Sequence, residues 1–474
     1  MTKLFAPLLV FAVFVNQAAC AQVKNAGDGS VQKPNVLFIV VDDMNRYSVL
    51  KNYPVLQTPN IDKLVGQSYL FTNASCAAPV CIPSRASFFS GRFPHNTGAY
   101  FNGVNPWENP MLATTEVIPE TFKKNGYETW GRGKMFHVEL PNGREQAMFD
   151  NKIFKGGYGP FGLKKNWYGH GKWSVIQPWE GPDTDFPDVK NANAAIEFLS
   201  QAHDKPFFMY YGLFRPHSPY TAPKRFWDLY KDAKFTLPPG YLKNDLDDVP
   251  AMGRELVDSM KSYERDDMSK QEVWMSLMRA YCANTSFADW NLGRVLDALD
   301  KSPFAKNTIV VFCSDNGFHN GAKEHWVKST LWDQADMIPL IIRIPDGKAY
   351  RCPQTVSLID IYPTLVEYCG LKGPDHPLDG KSMVPILKDP KAKWERNGYT
   401  VYGAGFSGVR NERYRYIRYP DGSEELYDHE KDPYEHDNIA NQKGMEEVKK
   451  KLAVSIPGKF AKSMGGRGEI KSDE

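Results

Sequence analysis

The stretch NVLFIVVDDMN, residues 35–45, decides the fold class. Val36 to Val41 is an unbroken apolar run rich in β-branched residues, without the alternation of a half-buried strand. A strand hidden on both faces reads this way, as in a parallel sheet covered by helices. The run stops abruptly at Asp42-Asp43. Working outward, residues 206–212 (PFFMYYG), 308–314 (TIVVFCS) and 339–344 (PLIIRI) are further buried-strand candidates. Helical patterns lie between them. Thr58 reads as an N-cap with Pro59 at the first helical position, opening a helix to about Gly66. Glu120 to Asn125 continues a second helix, stopped by Gly126, and Trp274 to Leu299 is a long third. Residues 358–370 (LIDIYPTLVEYCG) read as a last strand-to-helix unit. Alternation of this kind predicts an α/β domain with a mostly parallel central sheet and helices on both faces.

From about residue 386 the texture changes to short alternating strands, a Pro-Asp-Gly turn at 420–422 and charged loops. A helix from about Gly444 to Val454 and a basic tail follow. The reading is a main domain over 35–385 and a small C-terminal antiparallel sheet with one helix over 386–474. The first residues carry Lys3, an apolar run from Leu4 to Val15 and then small residues, the layout of a secretory signal over 1–21. The run is shorter than the roughly 20 residues a bilayer span needs. Ala19-Cys20-Ala21 fits a cleavage site, with Gln22 as the new N-terminus. Cys20 also suggests lipoprotein anchoring, but Gln17 stands where a large aliphatic residue is usual. The expectation is an exported protein, periplasmic or secreted, with no membrane span.

The 474 residues are 42% hydrophobic with a net charge of +2, so bulk charge gives no reason to expect a nucleic-acid partner. Seven cysteines, without a CxxC pair or zinc-like spacing, are too few for a disulfide scaffold, though one or two bridges are compatible with export.

Ligands in open parallel sheets bind beyond the carboxyl ends of the strands. Two candidate strands end in acidic clusters, one in Asp42 and Asp43, the other in Asp315 and Asn316. Asp and Asn at a strand end usually form turns or cap helices. Two such ends in neighbouring strands would instead gather three carboxylates and an amide oxygen, a set suited to Ca²⁺ or Mg²⁺ rather than zinc. The stretch CIPSRASFFSGR, residues 81–92, adds a cysteine beside Arg85. Such a cysteine could be core filler, half a disulfide, a metal ligand or a thiolate nucleophile.

CIPSR followed by SGR resembles the signature of the formylglycine-dependent (type I) sulfatases. The likeness extends from Asn35 to about Asn438 through NVLFIVVDD, TPNIDKL, GKMFH, TIVVFCSDNG and ELYDHEKDPYEHDNIA, in the family's order. GRGKMFH, FRPHSPYTAPKRF and SDNGFHNGAKEHWVKST resemble the iduronate-2-sulfatase-like branch, although Asn316 stands where iduronate-2-sulfatase itself carries histidine. The resemblance implies an alkaline-phosphatase-like fold and conversion of Cys81 to formylglycine by a maturation enzyme, formylglycine-generating or anaerobic. It implies one Ca²⁺ held by Asp42, Asp43, Asp315, Asn316 and the modified Cys81. Lys134 and Lys328 would contact sulfate oxygens, and Arg85 would support the aldehyde hydrate. His137 would be the base, and His217 or Lys328 would protonate the leaving alcohol. The expected substrate is a sulfated sugar or polysaccharide fragment, with Tyr100, Phe101, Trp107, Trp167, Tyr168 and Trp326 as candidate rings to stack on it. His95, His319 and His325 are left as structural or rim residues. Two other readings compete: a phosphate or phosphonate ester hydrolase of the same superfamily, and a non-catalytic binder of sulfated glycans.

Overall fold

Val36 to Val41 forms the centre of a strand, β1 (Asn35–Val41), whose seven residues are all buried. The computed structural model describes residues 33–469 apart from 170, 258–262 and 264–266, and the 1–21 signal segment, Cys20 and Gln22 lie outside those residues. The sheet around β1 has seven strands. The others are β2 (Tyr69–Ser75), β3 (Glu128–Gly133), β4 (Phe207–Leu213), β5 (Thr308–Ser314), β6 (Leu340–Arg343) and β7 (Tyr350–Ser357). Their order is β7-β2-β6-β5-β1-β4-β3. β1 runs parallel to both β4 and β5. Only β6 runs antiparallel to its neighbours.

The side chains of β1 alternate between two cores. Val36, Phe38 and Val40 pack with Phe88, Phe89, Phe122 and Leu365 on one face. Leu37, Ile39 and Val41 pack with Ile61, Leu64, Leu199 and Leu292 on the other. The helices carrying these residues are α1 (Pro59–Val65), α2 (Cys81–Ser90), α3 (Ile118–Lys124), α4 (Pro187–Leu199), α5 (Lys270–Lys301) and α6 (Ile361–Tyr368). With helices on both faces, an unbroken apolar run is what β1 requires.

Two local expectations are corrected. Thr58 makes no side-chain cap for α1. Asp289, from α5, accepts the Asn60 N–H at 3.2 Å and the Ile61 N–H at 2.7 Å, so the orphan donors of that helix end are satisfied from across the core. Leu358–Asp360 is a 3₁₀ turn leading into α6 rather than a strand. The strand precedes it as β7, an edge strand in which Pro353 falls at a register shift between Cys352 and Thr355. Proline lacks the ladder donor and is tolerated at edges and bulges, where it breaks the sequence pattern of a strand.

The C-terminal part contains an antiparallel meander of β8 (Gly398–Val401), β9 (Ser407–Arg410), β10 (Tyr414–Arg418) and β11 (Glu424–Asp428). The Pro420–Gly422 turn joins β10 to β11, with Gly422 at φ 84°. Leu452 of α7 (Glu446–Ala453) packs with Val409, Tyr416 and Leu426. Cys76, Cys81, Cys282, Cys313, Cys352 and Cys369 are all buried and none is bridged. Among the described residues, no helix is long and apolar enough to cross a membrane.

Candidate active site

The register of β1 against β5 pairs Val41 with Ser314, so the two acidic strand ends emerge side by side. Oxygens of Asp42, Asp43 and Asp315 and the sulfur of Cys81 all lie within 4.8 Å of one another, in buried residues. Asp43 adopts φ 60°, in the left-handed region. The Asp315 carboxylate accepts from the Asp43 N–H at 3.2 Å and the Asn316 N–H at 3.0 Å. The Asn316 amide donates to Asp43 at 2.8 Å. Its Oδ1 is buried and has no hydrogen-bond partner. Three carboxylates and an unpartnered amide oxygen make a donor set that could hold a hard cation.

Cys81 is the first residue of α2 and Arg85 sits one turn further on, facing the same way. The thiol sulfur is 3.5 Å from Asp42 Oδ1 and 2.9 Å from Lys328 Nζ. Burial and the Asp42 charge push the thiol above its ordinary range, outweighing Lys134 and Lys328. Burial therefore favours the neutral thiol over a thiolate in unmodified Cys81. Arg85 is fully buried. Its Nε bonds Asp315 at 2.8 Å, and Nη1 donates to the carbonyls of Lys134 and Met135 at 3.0 and 2.9 Å. Its Nη2 is 3.7 Å from Asp42.

Lys134 follows β3 and reaches Asp42 at 2.5 Å. Its placement depends on two glycines. Gly133 has φ +84°, and a Cβ there would lie 1.9 Å from the Gly212 carbonyl oxygen; one on Gly212 would lie 2.0 Å from that of Lys134. The ends of β3 and β4 approach more closely than any side chain allows. Lys328 pairs with Asp43. Burial alone would lower its pKa, but the Asp43 and Asp42 charges more than offset this.

His217 Nδ1 lies 2.5 Å from the Ser218 carbonyl, and Nε2 is 3.7 Å from Asp43. A carbonyl only accepts, so Nδ1 carries the hydrogen. Burial lowers the His217 pKa despite Asp42 and Asp43. His137 is solvent-exposed at φ 67°, yet crowded by protein. That crowding, and then the charges of Lys134, Arg85 and Lys328, hold its pKa well below the ordinary value. The structure brings Asp42, Asp43, Cys81, Arg85, Lys134, His217, Asp315, Asn316 and Lys328 into one cluster, with His137 at its accessible edge.

Several supporting residues escape a reading of the sequence. Tyr158 sets its ring 4.7 Å from that of His217, with Lys134 Nζ 5.4 Å from its centroid. Its surroundings, KGGYGPFG, have no periodicity to read. Tyr210 donates to the Lys134 carbonyl at 2.8 Å, and Tyr281, from α5, donates to the Asp43 carbonyl at 2.9 Å. Conversely, Tyr100, Phe101, Trp107 and Trp326 are core residues, each at most 4% exposed, and have no face free for a sugar. Tyr168 is also buried, and Trp167 is half-buried. His95 stacks on Phe93. His319 is fixed between Ala322 and Thr330, and His325 bonds the Lys328 carbonyl. A second cluster, Asp333, His429 and Glu435, is also compact. Arg415 pairs with both of its acids and with Asp336, so it is an internal ion-pair network.

A pocket that holds three carboxylates against three fixed cations, at the end of a mostly parallel sheet, belongs to a hydrolase of anionic esters. The family model described as Sulfatase matches residues 34–371, and the chain belongs to the sulfatase family: it is a sulfuric ester hydrolase with an alkaline-phosphatase-like fold. A second model, N-sulphoglucosamine sulphohydrolase, C-terminal, matches residues 321–460. A protein named Sulfatase from Formosa agariphila is 38% identical over 435 residues, covering 87% of this chain and 84% of its own. Iduronate 2-sulfatase of Mus musculus is 28% identical over 405 residues, covering 75% and 72%, which places the chain near that branch. A solved structure in complex with its substrate D-glucosamine-2-N,6-O-disulfate superimposes with a TM-score of 0.68 at 22% identity, covering 89% of this chain and 96% of the other. That likeness is one of fold.

Proposed function

We propose that this sulfatase is exported and removes sulfate from a sulfated sugar or polysaccharide fragment, with Cys81 converted to formylglycine by a maturation enzyme and Ca²⁺ held by Asp42, Asp43, Asp315 and Asn316. One observation carries the reading. The cysteine of a Cys-x-Pro-Ser-Arg motif sits inside a carboxylate cluster whose Asn316 oxygen has no protein partner. The Cys81 sulfur of the unmodified chain marks the place that the hydroxyls of the hydrated aldehyde would take in the matured protein. The leader read in residues 1–21 supports export.

The hydrated aldehyde supplies a nucleophilic hydroxyl and a second one for release, and the cation lowers the hydroxyl pKa and neutralises sulfate oxygens. The chain's own residues do the rest. Arg85 fixes Asp315 and the Lys134 backbone, so the pocket is preorganised. Lys134 and Lys328 face the sulfate oxygens. For the proton donor, open between His217 and Lys328 in the sequence, the geometry favours Lys328: its Nζ lies 2.9 Å from the Cys81 sulfur, whereas the His217 Nδ1–H is directed at the Ser218 carbonyl. His137, at the accessible edge, takes the role of the base that accepts the second hydroxyl proton; burial and the Lys134, Arg85 and Lys328 charges weaken it as a base, and bound sulfate offsets those charges.

Charge ranks the competing substrates. Asp42, Asp43 and Asp315 balance Arg85, Lys134 and Lys328, so a divalent cation leaves the pocket at about +2. A monoanionic sulfate ester with a deprotonated nucleophile brings it to neutrality and a dianionic phosphate monoester overshoots, while a phosphonate monoester, also a monoanion, is not separated from sulfate by charge. The test is mass spectrometry of the Cys81 peptide from protein matured in cells, with release of 4-nitrophenol from its sulfate and phosphate esters. Sulfur-for-oxygen exchange with loss of two hydrogens, and chelator-sensitive turnover favouring sulfate, are expected. Unmodified cysteine under conditions that mature a control sulfatase sinks the mechanism and favours the glycan-binding reading; preference for phosphate sinks the sulfate assignment.

A further inference from the structure

Beyond the pocket, residues 151–173 contain five lysines and no acidic residue, in a chain whose net charge is only +2. The same segment carries an aromatic ladder that starts at the site. Tyr158, already against His217 and Lys134, meets Trp173 with ring centroids 5.3 Å apart, and Trp173 meets Phe161 at 5.3 Å. Lys172 Nζ lies 5.0 Å from the Phe161 centroid and 5.7 Å from that of Trp173. Trp173 is 40% exposed, an unusual state for the largest apolar side chain. Lys164, Lys165 and Lys172 have no ion-pair partner among the described residues.

The segment is anchored, not draped. Fully buried Arg215 donates to the Tyr158 carbonyl at 2.8 Å, and its own backbone N–H is held by Asp188 at 3.0 Å. The Thr221 hydroxyl donates to the Pro160 carbonyl at 2.7 Å. Gln177 accepts from the Leu163 N–H at 2.8 Å and the Asn166 amide at 2.7 Å. A contact surface fixed in advance loses little entropy on binding.

Resting on the sulfatase reading above, we infer that Tyr158, Trp173, Phe161 and Lys172 form a second saccharide subsite, which holds an acidic sugar ring next to the one losing sulfate. Aromatic faces take up the C–H face of a sugar ring, and unpaired lysines select a ring carrying sulfate or carboxylate. The substrate is then an acidic oligosaccharide rather than a lone sulfated monosaccharide. Because the ladder begins at the catalytic cluster, the second ring continues the chain of the first.

The experiment uses the matured full-length protein and its Trp173→Ala and Lys172→Ala variants. Neither residue belongs to the catalytic cluster. The probes are sulfated oligosaccharides of one, two and four rings cut from carrageenan, ulvan, chondroitin sulfate and heparin. Each is measured as an inhibitor of 4-nitrophenyl sulfate turnover and by titration calorimetry. At least one series is expected to bind tenfold or more tightly at two rings than at one. Both variants should abolish that gain, with kcat/KM for 4-nitrophenyl sulfate within twofold of the parent. No gain with ring number in any series overturns the subsite, as does a gain that survives both substitutions. Absence of 4-nitrophenyl sulfate turnover counts against the sulfatase mechanism instead, and calorimetry then still reads the subsite.

Discussion

Substituting Gly212 with alanine isolates what the close approach of β3 and β4 does for the reaction. Gly212 has ordinary φ, so the effect is steric rather than conformational. The new Cβ would lie 2.0 Å from the Lys134 carbonyl oxygen and 2.7 Å from both its carbonyl carbon and its nitrogen, where real contacts begin at 3.0 Å. The Lys134 peptide must therefore move by about 1 Å. That peptide receives hydrogen bonds from Arg85 at 3.0 Å and Tyr210 at 2.8 Å, so its displacement disturbs the guanidinium as well as the ammonium. A misplacement of about 1 Å costs on the order of 100-fold in rate, or about 2.7 kcal/mol of barrier. Overpacking of this kind costs about 1–3 kcal/mol of stability. Gly126→Ala is the control. It shares the φ of +84° with Gly133 but has nothing within 4 Å, so it should cost about 1–2 kcal/mol of stability and no activity. The assay is kcat and KM for 4-nitrophenyl sulfate per formylglycine-bearing site, counted by mass spectrometry, alongside urea unfolding. Turnover by Gly212→Ala within threefold of the parent, at a similar stability loss, would refute the claim that this approach positions the catalytic cations. An equal rate loss in Gly126→Ala would assign the effect to stability.

Arg85→Met leaves Asp315 and Asp42 without their buried guanidinium, and loss of one partner from such a pair costs about 3–5 kcal/mol; a urea-derived loss below 1 kcal/mol would contradict that role. Burial holds the pKa of His319 well below its ordinary value. Below pH 6.5 the unfolded chain binds a proton that the folded chain refuses, so stability falls with acidification by up to about 1.4 kcal/mol per pH unit. His319→Gln should remove that share of the slope between pH 6.5 and 5.5, and an unchanged slope would count against it. Treatment with a calcium chelator should abolish turnover and lower the unfolding midpoint, with Ca²⁺ at 100 times its Kd restoring about 2.7 kcal/mol; full activity after exhaustive chelation would remove the cation from the mechanism.

How much of this was legible from the sequence follows from which contacts are local. β1, β4 and β5 announce themselves because burial on both faces demands unbroken apolar runs. β3 does not, since ETWGRG spends two of six positions on glycine, for reasons visible only in the folded chain: Gly133 meets the backbone of β4 and Gly131 the side chains of Met135 and Phe149. β7 hides behind Pro353 and a polar edge. β6 reads as a buried strand, but its direction is a property of the connections around it, and no residue in LIIR records it.

The site divides along the same line. Asp42–Asp43 and Asp315–Asn316 are readable because each pair ends a recognisable strand, and Cys81 and Arg85 because they stand in the contiguous CIPSR motif. Tyr158, Tyr210 and Tyr281 reach the site from segments far apart in the chain, so no spacing marks them. The aromatics show the error that results. Size and apolar area make a tryptophan more useful inside a core than at a rim, and Trp107 and Trp326 follow that rule. Trp173 breaks it from a glycine-rich, lysine-rich segment with no periodic signal. An exposed ring pays the hydrophobic cost of its exposure whether or not a ligand is present, so its place at the end of a ladder leading from His217 is better explained by what the outer ring touches during binding than by packing.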